Sequence, residues 1–179
     1  EGELLQIEKV RRLDISEEIY FEVIRQKTAS LIASACSSGA ASATNDEDVI
    51  ERMRQFGEHI GIAFQIKDDL FDFGTDDVGK PLGIDIQEKK MTLPLIYALK
   101  HASNSVKRHH ISLIKNHSSN REKVKEVIDF VHGSGGMEYA KKVMEEYSSK
   151  AFEILHSFPE TESRIALEEL VLFVTQRKK

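Results

Sequence analysis

Three aspartates, Asp68, Asp69 and Asp72, stand with Gln65 in the stretch GEHIGIAFQIKDDLFD (57–72). Placed on a helix at about 100° per residue with Gln65 at the origin, Asp69 falls at about 40°, Asp72 at about −20° and Asp68 at about −60°. Ile66, Leu70 and Phe73 flank this stripe on one side, and Phe64 and Phe71 on the other. A surface helix usually carries an apolar stripe on a broad polar face. Here the pattern is inverted, with a narrow acidic stripe between apolar flanks. Carboxylates this close repel, and burial raises the cost. A counter-charge is required, and Mg²⁺ fits: it is hard, takes oxygen ligands, and is commonly shared between carboxylates and substrate phosphates. The competing reading is a solvated acidic patch. The apolar flanks, and Gly57 and Gly61, which permit close helix approach, favour a half-buried cleft.

Basic residues follow directly. The segment GTDDVGKPLGIDIQEKKMT (74–92) carries Lys80 and Lys90. Its first seven residues match the phosphate-loop spacing G-x-x-x-x-G-K. Pro81, however, stands where that motif needs a hydroxyl and an N–H, and the segment follows a helix rather than a strand. A loop that carries lysines past the acidic stripe toward phosphate oxygens is the better reading. Lys27 and Thr28 lie among small residues suited to a close-packed cleft wall.

The elements that must position these groups read as helices. Apolar residues recur at helical spacing almost throughout, and no segment of useful length alternates as a strand. A first short stretch covers 4–10. A long helix is expected over 16–43, started by Asp14 with Glu17 or by Ser16. The next should run from a cap at Asn45 or Asp46 to about Phe73. Residues 74–91, with three glycines and Pro81, break the pattern. Thr92 is expected to cap a helix with Pro94 in its first turn. Further helices are expected over 106–115, 121–132, 137–158 and 162–176, making an all-α bundle of about seven or eight helices by this spacing.

Composition narrows the function classes. The 179 residues carry 25 Lys plus Arg against 30 Asp plus Glu, a net charge of −5. That balance, with no basic block, argues against nucleic acid or an anionic membrane surface. No apolar run approaches the length of a membrane span. Cys36, the single cysteine, excludes an internal disulfide framework and fits a reducing, cytoplasmic setting; among small neighbours it reads as a buried small side chain. His109, His110 and His117 have no carboxylate or thiol partner in the local sequence and read as a solvated helix end.

These residues resemble the trans-isoprenyl diphosphate synthases, the polyprenyl synthetase family. FQIKDDLFD (64–72) resembles its second aspartate-rich motif. EGELLQ (1–6), YFEVIRQKTASL (20–31), GKPLGIDIQEKKMTLPLIYAL (79–99) and RIALEELVLFVTQR (164–177) resemble other family segments in the same order. The resemblance implies the isoprenoid synthase fold and a Mg²⁺-dependent joining of isopentenyl diphosphate to an allylic diphosphate. It implies Asp68 as the leading Mg²⁺ ligand, with Asp69 and Asp72 binding through water or supporting the site. Lys27 and Lys90 would grip the allylic diphosphate, Lys80 would sit on a closing loop, Thr28 and Gln65 would lie near the reacting carbons, and Phe64 would wall the isopentenyl site. The family usually has Gly where Lys89 stands.

The family's first aspartate-rich motif does not occur in this sequence, and family members are nearly twice as long. The chain is therefore expected to be the C-terminal half of such an enzyme, beginning inside a helix, inactive alone and homodimeric when whole. Two other readings compete. A class I terpene cyclase shares the fold, but its usual second metal motif is not found and the chain has no Trp. A non-catalytic helical scaffold subunit has no need for the set Lys27, Asp68 and Lys90.

Overall fold

The computed structural model describes residues 15–74 and 82–177. The expected helix at 4–10, the segment EGELLQ and Lys80 lie outside these residues. The described residues form helices joined by short connections, with no β-strand among them and no helix long and apolar enough to cross a membrane.

The expected long helix over 16–43 is interrupted. Ser16 caps α1 (Glu17–Ile24), and a single π-helical turn (Arg25–Ala29) separates it from α2 (Ser30–Ala41). Backbone torsions stay helical across both junctions, so hydrophobic spacing carries no break to read. The interruption encloses Lys27 and Thr28.

Asp46 caps α3 (Glu47–Asp72) by accepting from the N–H groups of Asp48 and Val49. That helix is the axis of the molecule and packs chiefly against α2 on one side and α8 (Gly136–His156) on the other. Its contact with the π turn and α2 depends on two glycines. A Cβ at Gly57 would lie 2.7 Å from the Ile32 carbonyl oxygen, and one at Gly61 would lie 2.6 Å from the Ala29 Cα. Neither backbone can yield cheaply, so these positions set the distance between α3 and the strand of chain bearing Lys27 and Thr28.

After α3 the chain returns through a short helix, α4 (Ile84–Gln87), within the segment read from sequence as irregular. Then come α5 (Leu93–His101), α6 (Asn104–His117), α7 (Arg121–Gly133), α8 and α9 (Glu162–Gln176). Ser103 and Asn120 cap α6 and α7, and Ser103 starts α6 two residues ahead of the position expected from its apolar pattern. One core joins Ile62, Ala63 and Ile66 of α3 to α5, α7 and α8; a second joins Phe56 and Ile60 to Leu155 of α8 and Val171 of α9. Cys36 is only half-buried, at the edge of the second core, because the face of α2 that bears it is not fully covered.

Candidate active site

A cleft of about 310 Å³ opens where the C-terminal part of α3 parts from α1 and the π turn. The chain turns bring three sources of side chains to it. The π turn supplies Lys27 and Thr28, α3 supplies Gln65, Asp68 and Asp69, and the returning segment supplies Asp85, Lys90 and Thr92. Five residues expected from sequence to act together thus line one cavity: Lys27, Thr28, Gln65, Asp68 and Lys90. The roles assigned to them are a separate question.

The three aspartates have different surroundings. Asp68 has a side chain 43% exposed, and its Oδ1 accepts a hydrogen bond from the Arg177 guanidinium at the end of α9. That guanidinium also lies over the Phe64 and Phe71 rings, at 4.3 and 5.3 Å from their centroids. Cation–π contact and the carboxylate hold it together.

Asp69 is engaged by protein donors. Its Oδ2 accepts from the Tyr20 hydroxyl at 2.8 Å and from the Leu93 N–H at 3.0 Å. Leu93 is the first residue of α5, and the expected cap residue Thr92 makes no capping bond. The Thr92 hydroxyl is instead buried without a hydrogen-bond partner among the described residues. A carboxylate from α3 thus satisfies one of the orphan N–H groups of α5. Asp69 keeps some accessible surface but is closely surrounded by protein. That desolvation pushes its carboxyl up to about 7, against the opposing pull of the Leu93 and Tyr20 hydrogen bonds, with Asp85 and Asp68 adding repulsion.

Asp72 repeats the device one helix earlier. Both its oxygens lie 3.2 Å from the Asp85 N–H, in the first turn of α4, whose cap residue Gly83 has no side chain to offer. Burial, with Asp85 nearby, pushes its carboxyl up to about 6. Asp72 does not line the cleft. Asp72 therefore shares the stripe with Asp68 and Asp69 but not the cleft that they line. The wheel reports angle around the helix axis but not height along it. Asp72 sits roughly 10 Å beyond Gln65 at 1.5 Å per residue, where the chain folds back over it and Gly83 N–H reaches its carbonyl. Phe64 lies beneath the Arg177 guanidinium, partly buried against the second core, and is not among the residues that line this cleft.

On the basic side, Lys90 Nζ bridges Asp85 at 3.0 Å and Glu88 at 2.6 Å. Burial pulls its ammonium down, but the bonds to Glu88 and Asp85 outweigh this and its pKa is raised. Its neighbour Lys89 has φ of 59°. The family's usual glycine at this place now has a physical reason, since left-handed backbone is costly for a side chain with Cβ. Lys89 gains a bond in exchange, donating from Nζ to the Lys115 carbonyl near the end of α6.

Sequence reasoning missed Arg177, Tyr20 and Thr92. Tyr20 was visible only as the first residue of the family-like segment 20–31, with no sign of its bond to Asp69. Arg177 is 109 residues from Asp68 and carries no local signal of their contact.

Comparison with known proteins bears on the family and the fold. The polyprenyl synthetase family profile matches residues 1–131. The chain is 38% identical over 180 residues to a short chain isoprenyl diphosphate synthase from Methanothermobacter thermautotrophicus, covering 99% of this chain and 55% of that protein. Its fold superposes on the crystal structure of a geranylgeranyl pyrophosphate synthase from Bacteroides thetaiotaomicron with a TM-score of 0.90, at 39% identity, over 98% of this chain and 59% of that one. A polyprenyl synthase from Caulobacter crescentus, crystallised with calcium and isoprenyl diphosphate, gives a TM-score of 0.90 at 33% identity, over 99% and 55% of the two chains. The chain spans about half the length of the curated relatives it matches. Motifs, helical architecture and superposition agree: the fold is that of the all-α isoprenoid synthases, and the chain belongs to the polyprenyl synthetase family.

Proposed function

We propose that the whole protein is a Mg²⁺-dependent prenyltransferase that condenses isopentenyl diphosphate with an allylic diphosphate, and that this chain supplies the C-terminal half of its cleft. The observation that carries the reading is the convergence of Lys27, Thr28, Gln65, Asp68 and Lys90 on one cavity from three elements. A scaffold subunit would have no use for that convergence.

The donors suit a hard cation. Asp68 offers only oxygen, is partly open to solvent, and already draws a positive group, Arg177, to its Oδ1. Asp68 would hold the metal, with Asp69 acting through water while its Oδ2 stays on Tyr20 and Leu93. Asp72 supports the site by holding α4. When bound, Mg²⁺ supplies positive charge to the diphosphate oxygens as the allylic C–O bond breaks.

The chain's own residues do the remainder. Lys27 and Lys90 bring ammonium groups to the cavity and bind diphosphate oxygens, placing fixed charge where negative charge grows. Lys80, which lies outside the described residues, is assigned to the same diphosphate by the family resemblance. The Thr28 hydroxyl and Gln65 amide present dipoles to the allylic carbons as they become cationic. The isopentenyl double bond then attacks, the new C–C bond forms, and a proton leaves the product. Apolar Val23, Ile24 and Met91 on the same wall exclude water from that cation. Phe64, by the family resemblance, walls the isopentenyl site.

A cytoplasmic homodimer is the form we propose for the whole protein. The exposed Leu31 on α2 and Phe173 on α9, 72% and 65% accessible, offer apolar surface to the other half or to a second copy.

The test is turnover by the full-length protein with isopentenyl and allylic diphosphates. Asp68→Ala should remove most of it, and wild-type rates in that variant would sink the metal assignment. This chain alone should not turn over; activity from it would overturn the half-cleft reading.

A further inference from the structure

Outside the cleft, α6 and α7 bring together three groups that the sequence keeps apart. His109 and His110 lie on α6, and Glu126 comes from α7. One ligand atom from each lies within 4.8 Å of the others. His109 Nε2 is 2.6 Å from Glu126 Oε1. The solvated-end reading of these histidines rested on the lack of a carboxylate partner, and Glu126 supplies it across the helix pair.

We propose that His109, His110 and Glu126 form a binding site for a divalent transition-metal ion of the borderline class, Zn²⁺ or Co²⁺. This inference is independent of the proposed function. Two nitrogen donors and one carboxylate select such ions over Mg²⁺ and Ca²⁺, which prefer oxygen alone. The site is also partly organised in advance. His110 Nδ1 is hydrogen-bonded to the Val106 carbonyl at 2.9 Å, which makes that nitrogen the proton donor and leaves the Nε2 lone pair for a metal. Its ring is buried and stacks on Phe130 at 3.8 Å, with planes 19° apart, so its orientation is held by packing. Lys123 Nζ holds the other carboxylate oxygen, Oε2, at 2.8 Å, a supporting contact that leaves Oε1 directed at His109.

Ligands about 2.0–2.1 Å from tetrahedral zinc lie roughly 3.3 Å apart. The His109–Glu126 pair, at 2.6 Å, must open and any longer separation must close to reach that spacing, by rotation of side chains that are 52% and 38% exposed. The cation takes the place of the proton that these two groups share. Water fills the remaining positions, and the ion ties α6 to α7.

The experiment is a calorimetric titration of the tag-free, chelator-stripped chain with ZnCl₂ in saturating Mg²⁺, which keeps the aspartate stripe out of the measurement. The expected result is one Zn²⁺ per chain. His109→Ala and Glu126→Gln should each weaken binding by more than about tenfold, since even supporting groups of metal sites cost that much, whereas Asp68→Ala should not. His109 is exposed and Glu126 partly so, and circular dichroism confirms that both variants fold. Co²⁺ should give visible ligand-field absorption that the same two variants remove. No saturable Zn²⁺ binding, unchanged affinity in both variants, or loss in Asp68→Ala instead would each overturn the site.

Discussion

Asp68 and Asp69 are neighbours in sequence, yet α3 delivers them to different solvents. Asp68 meets water on one side and the Arg177 guanidinium on the other. Asp69 is enclosed, and its Oδ2 is a fixed part of how α1, α3 and α5 fit together. A single helix step of about 100° thus separates a group that can exchange its counter-charge from one that cannot. The lesson is that an aspartate-rich motif is not a uniform ligand set. One carboxylate faces the ligand, and the others cap the helices that frame the site.

That contrast can be broken in graded ways. The largest effect is expected from Asp69→Ala, which leaves the Tyr20 hydroxyl and the Leu93 N–H without their acceptor. Stability should fall by about 3 kcal/mol, since each buried polar group left unpaired costs roughly 1–3 kcal/mol; urea denaturation measures this. Asp68→Ala should change the same quantity by less than about 1 kcal/mol, as for other part-exposed ion pairs. Equal losses in the two variants would dissolve the distinction.

A second test uses pH. Folding raises the carboxyls of Asp69 and Asp72 from 3.8 to about 7 and about 6. The folded state therefore holds protons that the unfolded state has released. Stability of the metal-free chain from this source is greatest below the unfolded value and is lost as pH rises through the window to about 7. Asp69→Asn should flatten the upper part of that window relative to the wild type. A parallel pH profile would show that Asp69 ionises normally.

Smaller still is Tyr20→Phe, which removes one hydrogen bond and should cost about 1 kcal/mol, the net worth of a typical bond. Lys89→Gly sits at the bottom of the scale. It relieves left-handed strain of roughly 1–2 kcal/mol but adds unfolded-state entropy of about 0.5–1 kcal/mol and loses the bond to Lys115. The net change in unfolding free energy should stay within about 1 kcal/mol.

What could be read in advance divides along physical lines. Local signals were legible: the Asp46 cap, the azimuth of the acidic stripe, and the need for Gly57 and Gly61 at a close contact. Each depends on residues within a few turns of one another. The burial of Asp72 was not legible, because a wheel discards height and a returning chain leaves no mark on the helix it covers. The partnership of Arg177 with Asp68, and of Glu126 with His109, arises only when separate helices pack. Thr92 does stand at the N-cap position, but sequence cannot show that Asp69 makes the capping bond in place of its hydroxyl.

The π turn at Arg25–Ala29 carries a further consequence. One extra residue within a helical run advances everything after it by about 100°. The chain therefore keeps two phases, one for α1 and one for α2, with Lys27 and Thr28 at the seam. Gly57 and Gly61 are keyed to the second phase, while Tyr20 and Asp69 are keyed to the first. Removing one residue from the turn would heal the helix and force a choice between these two locks. In that sense the seam is a differential, letting two ends of one helix turn independently while both stay engaged with α3.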